Sequence, residues 1–152
     1  FENTFKSEHY TIVHIASHGE FDSHPQKTFL LTYDGQLTLN HLERLMKSTR
    51  FRTQPVELLT LSACQMAAGS QRAALGLAGV AVKAGARSAI ASLWEVDDTA
   101  GSQLIVAFYQ QLLNPELSKA QALQKAQLSL LAQEQYAHPY YWAAFLLIGN
   151  WL

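Results

Sequence analysis

Strand-length apolar runs separated by segments of helical period constrain this chain more than any other feature. Tyr10–Ala16 is loosely alternating and rich in β-branched and aromatic residues. Val56–Ser62 and Arg87–Trp94 are near-continuous apolar runs, and Ala143–Ile148 is a fourth. Runs of this length bounded by polar residues read as strands. Buried strands that alternate with helices imply a mainly parallel sheet covered on both faces, an α/β architecture. At 152 residues, with no internal repeat or linker composition, residues 1–152 read as one domain with a sizeable core.

The segments between the strands carry their own start and stop signals. Ser17–Lys27 is polar, with Gly and Pro, and reads as a loop. Phe29–Tyr33 and Gln36–Leu39 flank Asp34-Gly35, a strong hairpin signal. Asn40 with Glu43 fits a capping box, opening a helix that fades near Ser48 and leads into the loop "STRFRTQP". Ala63–Gln71 reads as a loop and Arg72–Ala84 as a helix stopped by Gly85, with Gly76, Ala78 and Gly79 suited to close helix–sheet contact. Asp97, Asp98 and Thr99 offer acidic and capping residues to a helix ending at Asn114-Pro115. Ser118 with Gln121 opens another helix, to about Gln133, whose buried face is expected at Leu123, Leu128, Leu130 and Leu131. "YAHPYY" reads as a loop.

Composition removes several function classes. Hydrophobic residues make up 49% and charged residues 15%, which excludes a disordered chain. A net charge of −1 gives no electrostatic argument for nucleic acid. No apolar run has the length of a membrane span. The single cysteine cannot form an internal disulfide, which fits a reducing, cytoplasmic setting. The chain begins at Phe1 rather than methionine, so a fragment of a longer protein is expected.

The chemistry concentrates at two strand ends. "IVHIASHGEFD" ends its apolar run at His18-Gly19, and "LTLSACQMAAG" ends its run at Cys64. Each residue is expected about two positions beyond its strand. Ligands of open parallel sheets bind beyond the carboxyl ends of the strands. If the two strands are neighbours, His18 and Cys64 emerge at one edge, and an imidazole can take a thiol's proton and return it to a leaving amine. The backbone amides of Gly19 and Cys64 are the candidate oxyanion donors. Against this stands the ordinary fate of a lone cysteine, which is a small buried hydrophobe. His9, His14, His18 and His24 lack a familiar metal-ligand spacing. His14 is expected in or against the sheet and hydrogen-bonded, and His41 and His138 in a loop or on a helix surface.

"HIASHG" and "LSACQ" resemble the caspase-like clan of cysteine peptidases, and most closely the CHAT domains often appended to tetratricopeptide repeats. His18 lies 46 positions before Cys64, close to the spacing of about 50 in caspases. The likeness continues through "LTYDGQLTLNHLERL", "GLAGVAVKAGARSAIASLWEVDD" and "YYWAAFLLIGNW". It implies the C-terminal part of a caspase-like three-layer α/β/α sandwich, with its first strands upstream of Phe1. It implies His18 as general base, Cys64 as nucleophile, a protein or peptide substrate, and hydrolysis through a thioester with no metal or cofactor. It further implies tetratricopeptide repeats upstream in the same chain, while the charge balance and the short apolar runs lead to the expectation of no nucleic-acid or membrane contact by this domain. The chain departs from the family at Met66, where threonine is common. "SLWEVDD" is similar to the matching turn of separase, which implies Asp98 as the partner of a basic side chain before the cleaved bond. The competing role for Asp98 is a helix cap, and Asp97 is the competing carboxylate. Ser92, Leu93 and Trp94 would present backbone to an extended substrate in the manner of a sheet edge, or else belong to the core strand. The rivals to a cysteine endopeptidase are a catalytically silent scaffold of the same fold and a thiol amidase acting on small substrates.

Overall fold

The computed structural model of the protein describes residues 5, 10–20, 28–47, 54–65, 79, 82 and 85–152, with the backbone only at residues 63–65. In chain order the elements are β1 (Ile12–Glu20), β2 (Phe29–Thr32), β3 (Gly35–Thr38), α1 (Leu39–Met46), β4 (Leu58–Gln65), β5 (Ser88–Ser92), α2 (Asp98–Leu112), α3 (Lys119–Leu131), a 3-10 turn (Glu134–Tyr136), α4 (Pro139–Trp142) and β6 (Phe145–Gly149). Among the described residues they form a six-stranded sheet in the order β3-β2-β1-β4-β5-β6. The central strands β1, β4 and β5 run parallel. β2, β3 and β6 join antiparallel at the flanks. The fold is α/β and compatible with the caspase-like architecture.

Alternation along the strands divides the core in two. Val13, Ile15, Leu59, Leu61, Ala89 and Ala91 lie on one face, in a cluster with Leu39, Leu42, Leu45 and Met46 of α1. Leu58 and Ile90 lie on the other, beneath Leu104, Ile105 and Phe108 of α2 and Ala122, Ala126 and Leu130 of α3. Each fully buried leucine contributes about 1.5–3 kcal/mol of transfer free energy.

Caps fix where the helices begin. The Asp97 carboxylate accepts the Ala100 N–H at 2.9 Å and starts α2. Ser118 and Gln121 close the expected capping box at α3. α1 starts two residues earlier than expected, because Thr38 ends β3 and also accepts the His41 N–H as N-cap. The hairpin loop is Tyr33-Asp34, with Thr32 and Gly35 as the closing pair. Gly35 has φ +143°, which side chains disfavour. Of the helix expected over Arg72–Ala84, only residues 79 and 82 are described, both helical; Gly85 has φ +122° and its N–H donates to the Val82 carbonyl. Gly76 and Ala78 lie outside the described residues.

Other expectations are corrected. "YAHPYY" is not a loop throughout. It contains the end of a 3-10 turn and the start of α4, with Trp142 Nε1 donating to Ala137 O and His138 Nδ1 accepting from Tyr140 N–H. The buried face of α3 is Ala122, Leu123, Ala126 and Leu130, whereas Leu128 and Leu131 are exposed, on the side of the helix away from the core it shares with α2. No helix among the described residues is long and apolar enough to cross a membrane.

Candidate functional site

β1 and β4 carry the site, and their register builds it. The parallel ladder pairs His14 with Thr60, Ala16 with Ser62 and His18 with Cys64. Partners in such a ladder share a face of the sheet, and successive pairs alternate faces. These three pairs therefore lie on one face, opposite the sealed side formed by Val13, Ile15, Leu59 and Leu61. His18 and Cys64 were expected about two residues past their strands. Both lie inside them, because the ladder continues to the Gly19–Gln65 pair and β2 also pairs with β1 at Gly19 and Glu20. Pairing on both sides holds polar residues extended where propensity predicts a loop. Gly19 is buried in this ladder. The Cys64 backbone is described and its side chain is not. Met66, His9 and His24 lie outside the described residues.

A cavity of about 530 Å³ lies on this face. His14, Ala16 and His18 of β1 form one wall, Ser62 of β4 and Ser92 of β5 lie on the floor, and Ile105, Val106 and Tyr109 of α2 form the facing wall. Val96 and Phe145 add apolar surface, and Asp97 and Asp98 stand where α2 begins. α2 packs on Leu58 and Ile90 beside the cavity. At the entrance to α2, a Cβ on Gly101 would meet Val96 Cγ1 at 3.2 Å, so the helix start sits tightly on the Val96 turn.

The cavity thus brings together His18, Ser92 and Asp98 among the expected residues. The cap role belongs to Asp97. Trp94 does not line the cavity; its Nε1 donates to Tyr140 O at 3.0 Å and its ring packs toward the α2–α3 core. Ser92 pairs with Phe145, and the Leu93 N–H donates to Ala144 O at 2.7 Å. Toward β4, paired residues run from Leu59–Ala89 to Leu61–Ala91, while β4 continues to Gln65.

Sequence reasoning missed the polar interior of this cavity. His14 Nε2 lies 2.7 Å from Ser62 Oγ. The His14 ring also stands 5.8 Å from the Tyr109 ring, centroid to centroid. The Tyr109 hydroxyl donates to Thr60 Oγ1 at 2.9 Å. Burial holds the His14 imidazole below its ordinary value of 6.5, so the ring is neutral at pH 7. Burial also pushes the Tyr109 hydroxyl above its usual range, against the smaller lowering effect of its bond to Thr60. The signal was present in the sequence: Thr60 and Ser62 are polar at alternate positions of an apolar strand, on the same face as Cys64.

The family model for the CHAT domain matches residues 1–150. The chain belongs to the CHAT domain family. CHAT domains are a caspase-like family, in keeping with a histidine and a cysteine on adjacent parallel strands. Tetratricopeptide repeat protein 28 of Homo sapiens is 35% identical over 98 residues, which is 63% of this chain and 4% of that protein. Tetratricopeptide repeat protein 28 of Mus musculus is 34% identical over 97 residues, 62% of this chain and again 4% of the relative. This CHAT domain therefore corresponds to a small part of the relatives it matches.

Proposed function

We propose that this CHAT domain is a cysteine endopeptidase of the caspase and separase type, working in a chain that also carries tetratricopeptide repeats. His18 takes the Cys64 proton, and the thiolate adds to the carbonyl carbon of the residue before the cleaved bond. The amides of Gly19 and Cys64 receive the oxyanion. The tetrahedral intermediate expels the amine, which leaves with the proton from His18, and water then hydrolyses the thioester with His18 again as base. Asp98 pairs with a basic side chain before the cleaved bond. Ser92 and Trp94, at the end of β5 and just beyond it, offer backbone to the extended substrate. The single cysteine suits a reducing, cytoplasmic setting.

The observation that carries this reading is the ladder: His18 and Cys64 are partners near the carboxyl ends of two adjacent parallel strands. Ladder neighbours lie about 5 Å apart, so the two residues share one edge and one face. The rest of the cavity adds an acidic entrance and an apolar wall.

The test uses the intact protein. Cys64→Ala and His18→Ala each abolish proteolysis while leaving circular dichroism and melting temperature in place. Cleavage retained by Cys64→Ala contradicts the mechanism. A peptide library then reports the residue before the cleaved bond; a basic preference that disappears in Asp98→Ala and persists in Asp97→Ala supports the pairing.

A further inference from the structure

We propose that Ser17 is a positioning residue for His18: its hydroxyl clamps the β2–β3 hairpin onto β1 and so holds His18 in register with Cys64. The inference rests on the endopeptidase reading for what His18 does there. It assigns a residue that acts through the backbone of its neighbour.

The need for a clamp comes from where His18 stands. The ladder between β1 and β4 ends at the Gly19–Gln65 pair, so His18 is one position from its end. On the other edge of β1, the described pairs with β2 are Gly19–Leu30 and Glu20–Phe29. Both lie beyond His18. The ends of strands open more readily than their interiors.

The Ser17 hydroxyl supplies a hold on the near side. It donates to Leu31 O at 2.5 Å. The Gly19–Leu30 pair lies on the far side. His18 is thus bracketed along the seam with β2.

A clamp is as firm as its anchor. Leu31 pairs with Gln36 in a hairpin whose four pairs run from Phe29–Thr38 to Thr32–Gly35. The Thr32 hydroxyl donates to Gly35 O at 2.9 Å and closes the turn. The neighbouring pair, Leu30 and Leu37, is buried in the cluster that holds Val13, Ile15 and Leu42. At the base of the hairpin the Leu39 N–H donates to Thr28 O. The Leu31 carbonyl therefore belongs to an element that the core fixes.

Magnitudes separate a positioning role from a structural one. A single side-chain bond at a half-buried serine contributes little net stability. A catalytic group displaced by about 1 Å loses about a hundredfold in rate. Loss of the Ser17 bond is therefore expected to act on chemistry far more than on folding.

The test uses the intact protein and two substitutions of equal shape. Ser17→Thr keeps the hydroxyl, Ser17→Val replaces it with a methyl, and β-branched residues of this kind suit a strand. Peptide turnover, the alkylation rate of Cys64 and hydrogen exchange at residues 18–20 are measured on each, with His18→Ala as reference. Ser17→Val is expected to lower kcat about tenfold or more relative to Ser17→Thr, with KM within about twofold. Alkylation of Cys64 falls toward the His18→Ala rate, and exchange at residues 18–20 speeds up. Melting temperatures of the two variants stay within about 3 °C of each other. Equal kcat and equal alkylation in Ser17→Val and Ser17→Thr overturn the inference, even if Ser17→Val melts lower, and leave the His18–Cys64 reading standing. Alkylation that is indifferent to His18→Ala, in a wild type that cleaves nothing, removes the endopeptidase reading and this role of Ser17 with it.

Discussion

The two faces of β1 and β4 are built from alternate residues of the same strands and have opposite characters. Val13, Ile15, Leu59 and Leu61 are buried against α1 in a sealed, wholly apolar cluster. His14, Ala16, His18, Thr60 and Ser62 lie on the other face, and all but Thr60 border a cavity beneath α2. Parallel strands buried on both faces ordinarily read as unbroken apolar runs. Here one face keeps that rule. The other abandons it progressively toward the carboxyl ends: in β4 from Leu58 through Thr60 to Ser62, in β5 from Ile90 to Ser92. The sealed face supplies rigidity to the same backbone that presents the polar face, so a residue exchanged on one face acts on stability and on the other acts on chemistry.

Substitutions that test this division fall in a clear order. The largest stability effect belongs to the sealed face. Leu61→Ala is expected to cost about 2–5 kcal/mol by chemical denaturation, since it leaves a cavity among Ile15, Leu59 and Ala91. A cost below about 1 kcal/mol would break the comparison. Next is Tyr109→Phe, which leaves the buried Thr60 hydroxyl without the Tyr109 donor and is expected to cost about 1–2 kcal/mol. Asp97→Ala removes the cap of α2 and is expected to cost about 1 kcal/mol, with the selectivity of the cavity unchanged. His18→Ala, at an exposed position, is expected to stay within about 0.5 kcal/mol of wild type. A larger loss would make His18 a structural residue.

The smallest effect is a dependence on pH. Burial lowers the pKa of His14 in the folded protein relative to 6.5 unfolded. The unfolded chain then binds more protons in the interval between those two values. The stabilisation from a neutral His14 is therefore fully present above pH 6.5 and is lost as pH falls through the lower folded value. Denaturation curves across that interval, compared between wild type and His14→Gln, check the sign. The variant should lose the acid-side decline.

Much of this is readable in the sequence. The four apolar runs became β1, β4, β5 and β6, and Ser118–Gln121 marked a helix start where expected. Strand ends were harder, because Ser17, His18 and Gly19 look like a loop until their partners on β4 and β2 are known. Register is a tertiary property, and it moved His18 and Cys64 from beyond their strands to within them. The cap of α1 was misplaced because β3 passes directly into the helix and Thr38 serves both. α4 is too short to show a period, and its aromatic side chains are fixed by contacts from elsewhere. For the site, the position of His18 beside Cys64 and the carboxylates after "SLW" were legible from motif placement. The His14–Ser62 contact was not, since it joins residues diagonal to one another across the ladder, and only the register reveals that.

The central claim is that His18 and Cys64 act as a pair at one edge of the sheet. The most direct measurement is the iodoacetamide alkylation rate of Cys64 at pH 7, read by peptide mass mapping of the intact protein and its His18→Ala variant. A neighbouring imidazolium lowers a thiol's pKa and raises its reactivity. The account predicts that Cys64 in the folded wild type reacts faster than in the same protein unfolded in urea, and that His18→Ala slows it by about tenfold. Equal rates in wild type and His18→Ala, both slower than the unfolded thiol, would contradict the pairing.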